Sequence, residues 1–121
     1  SDMVSSQLIK KTVKRLRPCR TELPLQVTQR AYCGSGYSFT SSHATNHFAI
    51  AIFWFLVIGK DWKYIKVPIL LWAVIVCIAQ VYVGVHFPSD VFVGSIIGMT
   101  IGYLWAKLYE RYYGNQNSYN V

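Results

Sequence analysis

Three long apolar runs with almost no charge constrain the fold of this chain more than any other feature. They are residues 44–59, 65–83 and 91–108, which contain 16, 19 and 18 residues. A helix needs about 20 apolar residues to cross the hydrocarbon core of a bilayer. We therefore predict an all-α, polytopic membrane protein in which each run forms a span.

The composition agrees with a membrane protein and excludes two other classes. Of the 121 residues, 53% are hydrophobic and only 14% are charged, which is too apolar for a disordered chain or a nucleic-acid-binding tail. The formal net charge is +7, and this excess suggests an anionic partner. Because the chain is so apolar, membrane phosphate is favoured, and no nucleic-acid partner is expected.

The links between the runs are short, and they determine which ends share a side of the membrane. Residues 59–64 join the first two runs, and residues 84–90 join the last two. The first run therefore begins on the side where the second ends and the third begins. Residues 4–17 have the spacing of an amphipathic helix whose basic stripe is Lys10, Lys14 and Arg17. We interpret it as the end of a helix whose apolar part lies upstream. Three spans and one helix end are expected to be part of a larger bundle.

Polar residues that suit phosphate chemistry collect on that shared side. Phosphoryl transfer needs cations that neutralise the phosphate oxygens, a nucleophile, and an acid that protonates the departing oxygen. The sequence contains no acidic cluster of the kind that holds magnesium. The residues expected on this side are Lys10, Lys14, Arg17, Ser41, Ser42, His43, His86 and Asp90.

Three motifs on this side match those of a known family in order and spacing. K-x6-R-P is intact at residues 10–18, P-S-G-H becomes T-S-S-H at residues 40–43, and S-R-x5-H-x3-D becomes A-Q-x5-H-x3-D at residues 79–90. On these motifs the chain resembles the type 2 phosphatidic acid phosphatase superfamily, the integral-membrane branch of the vanadium haloperoxidase-like fold. That family has six helices. The resemblance implies that residues 1–121 are one domain, the catalytic part of a six-helix lipid phosphatase fold without its N-terminal helices.

The resemblance also implies a role for each matching residue. His86 is expected to be the nucleophile that forms a phosphohistidine, and Asp90 is expected to orient the other ring nitrogen of His86. His43 is expected to protonate the leaving oxygen and then to activate water. The residues expected to bind the phosphate are Lys10, Lys14, Arg17, Ser41, Ser42 and Gln80.

Two positions depart from the family pattern. Gln80 stands where the family has arginine, which removes a cationic and potentially bidentate phosphate contact unless Lys14 or another cation compensates. Ser42 stands where the family has glycine, so the loop must take a conformation that a side chain tolerates. The departure at Gln80 motivates a second hypothesis, a catalytically weak phospholipid-binding or assembly subunit of the same fold.

The leading hypothesis from the resemblance is an integral-membrane lipid phosphatase that needs no metal or other cofactor. Its expected reaction removes a phosphomonoester or pyrophosphate from a lipid headgroup, with undecaprenyl pyrophosphate as the first expected substrate. The family's usual bacterial arrangement implies a multi-pass protein of the inner (cytoplasmic) membrane, with the active site facing the periplasm or exterior. The numbers of basic residues on the two sides are too similar to decide the orientation. The sequence does not indicate the oligomeric state.

Several residues leave alternatives open. His43 and His47, together with His86 and Asp90, resemble a metal-ligand set, as in a small metal-dependent membrane hydrolase. Asp90 is also placed to cap a helix, a role compatible with orienting His86. The basic residues of the amphipathic helix are equally suited to anchoring the chain to lipid headgroups.

Cysteines and glycines leave two further alternatives. Cys19 and Cys33 either form a disulfide on an oxidising side of the membrane or are unrelated thiols. The loop of residues 19–40 that holds both is either functional or mobile. The stripe from Gly94 to Gly102, with glycine at every fourth position, packs helices within the bundle or forms a dimer face.

Overall fold

The computed structural model describes residues 10–21, 32–33, 36–58 and 62–114, and within these ranges all regular structure is helical. The prediction of an all-α chain is confirmed for these residues. The elements are α1 (Lys10–Val13), a 3-10 helix (Pro18–Arg20), α2 (Ser42–Val57), α3 (Lys63–Tyr82), α4 (Pro88–Tyr109) and a π-helical turn that continues it (Glu110–Gly114).

The three long helices coincide with the three apolar runs. Two of them are long and apolar enough to cross a membrane, over Tyr64–Tyr82 and Pro88–Gly114. Helix α2 has 16 residues, which corresponds to about 24 Å, and a bilayer core is roughly 30 Å thick. Helix length therefore supports two of the three predicted spans, and a crossing by α2 stays a prediction.

The starts of α2 and α4 lie side by side because their capping groups meet. Ser41 caps α2, and its Oγ accepts a hydrogen bond from the Ala44 N–H at 3.4 Å. Pro88 occupies the first turn of α4, where no backbone N–H is needed, and Asp90 accepts from the Phe87 N–H at 3.0 Å. The Ser41 N–H donates to the Asp90 carbonyl at 3.2 Å and joins the two helix starts.

A glycine stripe keeps α2 and α4 in close parallel contact. Gly94, Gly98 and Gly102 each face a backbone carbonyl of Ser41, Thr45 or Ala49, at the start of α2 and along it. A Cβ at Gly98 would overlap the Thr45 carbonyl oxygen, and a Cβ at Gly102 would overlap the Ala49 carbonyl oxygen. Of the two alternatives for this stripe, the structure supports packing within the bundle.

Helix α3 runs antiparallel to the other two and packs mainly on α2. Near its end, Cys77 packs with Ala44 in a small apolar core, and near its start the Lys66 ammonium lies 5.2 Å from the Phe55 ring centroid. Its outer face carries exposed apolar side chains such as Ile75. This face is suited to lipid or to another helix.

The predicted helix over residues 4–17 is wrong in its second part. The described helix ends at Val13, because Lys14 has a positive φ of 47°, which lies outside the right-handed helical region. Arg17 is extended, with φ −74° and ψ 151°, as is usual for a residue that precedes proline. Residues 4–9 lie outside the described residues. The predicted basic stripe is therefore not a helical face.

Candidate active site

Asp90 lies at the centre of the polar residues that meet at the start of α4. Its side chain is fully buried, yet both carboxylate oxygens accept hydrogen bonds. Oδ1 accepts from Arg15 Nη1 at 2.9 Å, and Oδ2 accepts from the Phe87 N–H at 3.0 Å and from the Ser38 hydroxyl. A buried carboxylate needs such donors and a countercharge to be stable as an anion. Here one cation and two neutral donors provide both.

His86 lies in the link between α3 and α4, four residues before Asp90. Its backbone N–H donates to the Gln80 carbonyl at 3.3 Å, and its side chain is 3% exposed. The pKa of His86 is lowered from 6.5 to about 4, chiefly by burial and next by the charge of Arg17, while the charge of Asp90 opposes the shift. Near neutral pH the imidazole is therefore uncharged, and one ring nitrogen carries a free lone pair.

Ser38 lies between His86 and Asp90, although no motif pointed to it. Its side chain is completely buried. The hydroxyl donates to Asp90 Oδ2 and lies 3.4 Å from His86 Nδ1, whereas His86 Nδ1 and Asp90 Oδ2 are 3.9 Å apart. His86 and Asp90 are thus neighbours, but the hydrogen bonds between them pass through Ser38.

Arg15 is a second residue of the cluster that the motifs did not include. Besides Asp90, its Nη1 donates to Ser89 Oγ at 2.9 Å, and its guanidinium carbon lies 4.1 Å from the Phe87 ring centroid. The predicted basic stripe of the helix did not include Arg15. The non-helical segment that replaces the helix brings both Arg15 and Arg17 within electrostatic reach of Asp90. The proline that follows was the sequence signal against a helix here.

Arg17 lies within electrostatic reach of Asp90 and has a buried side-chain nitrogen. Its side chain is partly buried, and its Nε is buried without a hydrogen-bond partner among the described residues. Burial lowers the pKa of Arg17, and the charge of Arg20 lowers it further, whereas Asp90 raises it. A buried, unpaired guanidinium N–H is a group that an anion would satisfy.

Lys10 and the start of α2 supply further positive potential. Lys10 Nζ donates to the Ser42 hydroxyl at 2.9 Å, and the charge of Lys10 contributes to lowering the pKa of His86. Ser42 is the first residue of α2, and Ser41 before it is fully buried. The N–H groups in the first turn of a helix carry partial positive charge and bind anions. Lys10 and this helix start therefore both favour a bound anion near His86.

His43 lies in the first turn of α2 and is exposed. One turn later, the ring of His47 lies 6.3 Å from that of His43 and 4.4 Å from that of Trp72. Within the described ranges, no three side chains of the His, Cys, Asp or Glu type are grouped to hold a metal ion. The alternative ligand set of His43, His47, His86 and Asp90 is therefore not assembled there.

Gln80 and Lys14 were also predicted as phosphate ligands, but they are not among the residues of the cluster. Gln80 lies in the last turn of α3, where its carbonyl accepts the N–H groups of Val85 and His86, both at 3.3 Å. Lys14 is exposed beyond the end of α1. The cluster itself brings together Lys10, Arg17, Ser41, Ser42, His86 and Asp90, with Arg15 and Ser38 added.

A disulfide joins Cys19 and Cys33, whose Cα atoms are 6.1 Å apart. It connects the 3-10 helix to the loop that leads to Ser38. The Ser38 N–H donates to the Arg15 carbonyl at 2.7 Å, so the two segments are joined a second time next to the cluster. Of the predicted loop over residues 19–40, residues 22–31 and 34–35 lie outside the described residues.

An apolar groove of about 520 Å³ runs along α3 and α4. Pro88 lines it two residues before Asp90, so the groove reaches the level of the polar cluster. Its lining also includes Phe48, Val81, Val91 and Phe92. A hydrocarbon chain is the type of ligand that such a lining would accept.

Comparison with known proteins gives a family match over nearly the whole chain. The family model of the PAP2 superfamily matches residues 1–113. The lipid A 4'-phosphatase of Bacteroides thetaiotaomicron is 34% identical over 108 residues, which cover 87% of this chain and 47% of that protein. The decaprenylphosphoryl-5-phosphoribose phosphatase of Mycobacterium tuberculosis is 34% identical over 95 residues, 78% of this chain and 48% of that protein.

A third relative adds another headgroup. The phosphatidylglycerophosphatase B of Bacillus subtilis is 30% identical over 111 residues, which cover 86% of this chain and 51% of that protein. The chain thus spans about half the length of the curated relatives it matches. No solved structure matches the chain significantly.

Proposed function

The chain belongs to the PAP2 superfamily, and from this membership we propose that it is the catalytic part of a six-helix, integral-membrane lipid phosphatase. One observation carries the proposal: the buried, uncharged His86 lies beside Asp90 and within electrostatic reach of Lys10 and Arg17. A neutral imidazole next to an unpaired guanidinium donor is suited to attack a bound phosphate.

In the first half-reaction, Nε2 of His86 attacks the phosphorus of the lipid phosphate, and the bond to the leaving oxygen breaks. His43 gives a proton to that oxygen, so the lipid leaves as an alcohol or, from a pyrophosphate, as the lipid monophosphate. Lys10, Arg17 and the first N–H groups of α2 neutralise the other phosphate oxygens. The product is a cationic phosphohistidine, and the carboxylate of Asp90 stabilises its charge.

In the second half-reaction, water attacks the phosphohistidine. His43, now neutral, takes a proton from the water, the P–N bond breaks, and inorganic phosphate leaves. His86 returns to its neutral form. The exposed position of His43 at the start of α2 supports this role, since the group must meet both headgroup and water. No step requires a metal or another cofactor.

The proposed substrate is a lipid whose phosphate lies at the membrane interface. The apolar groove along α3 and α4 supports this class, because it leads from the apolar helix faces to the polar cluster. Undecaprenyl pyrophosphate is the first substrate to test. The names of the relatives add lipid A phosphate, decaprenylphosphoryl-5-phosphoribose and phosphatidylglycerophosphate.

Phosphate release from these lipids by the protein in detergent, with a chelator present, tests the proposal. His86→Ala and His43→Ala should abolish turnover, and rapid quenching should trap an acid-labile phosphohistidine in the parent but not in His86→Ala. His47→Ala is the matched control and should stay within a few-fold of the parent. Full turnover by His86→Ala overturns the mechanism. Loss of activity with chelator and with His47→Ala supports the metal-dependent alternative instead.

A second candidate is a catalytically weak phospholipid-binding or assembly subunit of the same fold, and the observation that favours it is Gln80. The family arginine is absent there, which removes a phosphate contact. This candidate predicts binding of lipid phosphate without turnover by the unsubstituted chain. Gln80→Arg should then raise phosphate release sharply, since the backbone bonds of residue 80 to the link are retained. Equal turnover with and without the substitution argues against it.

We propose that the polar cluster faces the exterior or periplasm of a bacterial inner membrane. The disulfide of Cys19 and Cys33 supports this orientation, because disulfides persist on oxidising sides of membranes. Lys11 is exposed at the cluster end, and Arg111 is exposed at the opposite end. In intact cells, Lys11→Cys should react with a membrane-impermeant maleimide, and Arg111→Cys should react only after permeabilisation. The reverse pattern overturns the orientation, and the parent chain controls for Cys77.

A further inference from the structure

The contact between His86 and Asp90 is incomplete without a third side chain. Nδ1 of His86 and Oδ2 of Asp90 are 3.9 Å apart, which is too far for a hydrogen bond. The Ser38 hydroxyl fills this gap, since it donates to Asp90 Oδ2 and lies 3.4 Å from His86 Nδ1. All three side chains are almost completely buried, so water does not compete freely for these atoms.

Ser38 is held in place from two directions. Its backbone N–H donates to the Arg15 carbonyl at 2.7 Å, while the Arg15 side chain binds the other oxygen of Asp90 at 2.9 Å. Ser38, Arg15 and Asp90 therefore close a ring of contacts between the segments before α2 and the start of α4. The hydroxyl has little freedom to turn away from the carboxylate, because the chain that carries it is fixed to the residue that binds Asp90.

The directions of the hydrogen bonds follow from the number of protons available. A carboxylate can only accept, so Ser38 gives its single hydroxyl proton to Asp90. The hydroxyl oxygen then has only lone pairs left for His86. The ring nitrogen that faces it, Nδ1, must therefore be the one that carries the proton, and Nε2 keeps the lone pair that attacks phosphorus.

We propose that Ser38 is a positioning residue that selects the reactive tautomer of His86 and transmits to it the charge of Asp90. The inference rests on the proposed function, in which Nε2 of His86 is the nucleophile. When the phosphohistidine forms, the ring becomes cationic, and its Nδ1–H bond to Ser38 strengthens together with the Ser38 bond to Asp90. Without the hydroxyl, the ring keeps its interaction with the Ser38 backbone, but the carboxylate has no bonded route to the ring.

Steady-state kinetics of Ser38→Ala in detergent micelles of a lipid phosphate tests this assignment. Loss of a charge-linked hydrogen bond should lower kcat by about 10- to 100-fold, with KM changed by less than about threefold. Ser38→Thr and Ser38→Cys, which keep a donor at this position, should recover part of the lost kcat. Thr100→Ala is the control, since this α4 hydroxyl donates to the Ile96 carbonyl of its own helix and lies outside both the cluster and the lining of the apolar groove.

A double-substitution cycle separates positioning from simple loss of structure. If Ser38 acts through Asp90, Ser38→Ala should have little further effect on kcat in the Asp90→Asn background. If the double variant instead loses kcat by the product of the two single losses, the assignment is overturned. Equal kcat for Ser38→Ala and the parent also overturns it, while leaving the proposed function intact.

The tautomer can also be observed without turnover, so the inference and the proposed function fail separately. In protein labelled with 15N-histidine, the His86 signals, assigned with His86→Ala, should show a protonated Nδ1 and an unprotonated Nε2 in the parent at pH 7. Ser38→Ala should show a larger fraction of the tautomer protonated at Nε2, since only the interaction with the Ser38 backbone remains. Unchanged 15N shifts in Ser38→Ala overturn the inference, whereas absence of phosphate release by the parent counts against the proposed function alone.

Discussion

Arg15 and Asp90 form an ion pair across the start of α4, with Nη1 at 2.9 Å from Oδ1. The carboxylate is completely buried, whereas the Arg15 side chain is 39% exposed. The pair joins residues 75 positions apart in the sequence and ties the segment before α2 to the first turn of α4. Because it balances the charge of Asp90 within the protein, the carboxylate does not depend on a substrate for its countercharge.

Removing this cation should destabilise the protein. Arg15→Ala leaves a buried carboxylate without its ion-pair partner, and we expect a loss of about 1–3 kcal/mol, less than for a fully buried pair because Arg15 is partly exposed. Thermal unfolding in detergent measures the effect. The Tm of Arg15→Lys should lie between those of the parent and Arg15→Ala, since lysine keeps the charge but loses the planar contact with Phe87. Arg111→Ala, exposed at the other end, is the control, and an equal Tm for all four proteins contradicts the prediction.

The burial of His86 should make stability depend on pH in a defined window. Its pKa is about 4 in the folded protein and 6.5 when the ring is unperturbed, so the unfolded chain binds more protons between these values. Stability should therefore fall on acidification from about pH 6.5 to pH 4, by about 3 kcal/mol in total from this group. Above pH 6.5 this group should contribute no further change.

A comparison with His86→Gln isolates that contribution from other titrating groups. Denaturant unfolding at a series of pH values should show the parent losing stability faster than the variant as the pH falls through the window. Parallel curves for the two proteins contradict the assignment of a buried, neutral His86. The same pKa places the acidic limb of kcat/KM for the parent nearer pH 4 than pH 6.5.

The long helices and the capping position of Asp90 could be predicted because both depend on local rules, whereas the pairing of Asp90 with His86 was implied by the family resemblance. An apolar run of about 20 residues is helical in a bilayer whatever its neighbours are. Asp90 lies two residues after Pro88 at a helix start, where the capping rules place it, and His86 precedes it by four residues in a short link. Pro88, Asp90 and His86 lie within a few positions of one another in the sequence.

Ser38 and Arg15 could not be predicted because their contacts with Asp90 are distant in sequence. Ser38 reaches Asp90 across 52 positions, and Arg15 reaches it across 75. The break of the basic helix at Lys14 had no glycine to signal it, since a lysine with positive φ is uncommon. A helical spacing rule applied to residues 10–17 therefore assigned the cations to the wrong geometry.

The close contact of α2 and α4 should depend on the absence of a side chain at Gly98. Gly98→Ala places a Cβ against backbone atoms of Thr45, so the helices must separate, and we expect a loss of about 1–3 kcal/mol. Gly114→Ala is the matched control, because a Cβ there meets nothing within 4 Å. Thermal unfolding in detergent should separate the two variants clearly. A Gly98→Ala protein as stable as Gly114→Ala contradicts the described packing.

The disulfide between Cys19 and Cys33 should stabilise the segments that carry Arg15 and Ser38. It closes a loop with a sequence separation of 14, for which loop entropy predicts about 3 kcal/mol. A reductant should therefore lower the Tm of the parent but not that of the Cys19→Ala/Cys33→Ala double variant, which should already unfold at the lower temperature. Cys77→Ala should keep the sensitivity to reductant, because that thiol is free. Thiol titration should first show that reduction is complete. If the Tm of the reduced parent is then unchanged, the prediction is contradicted.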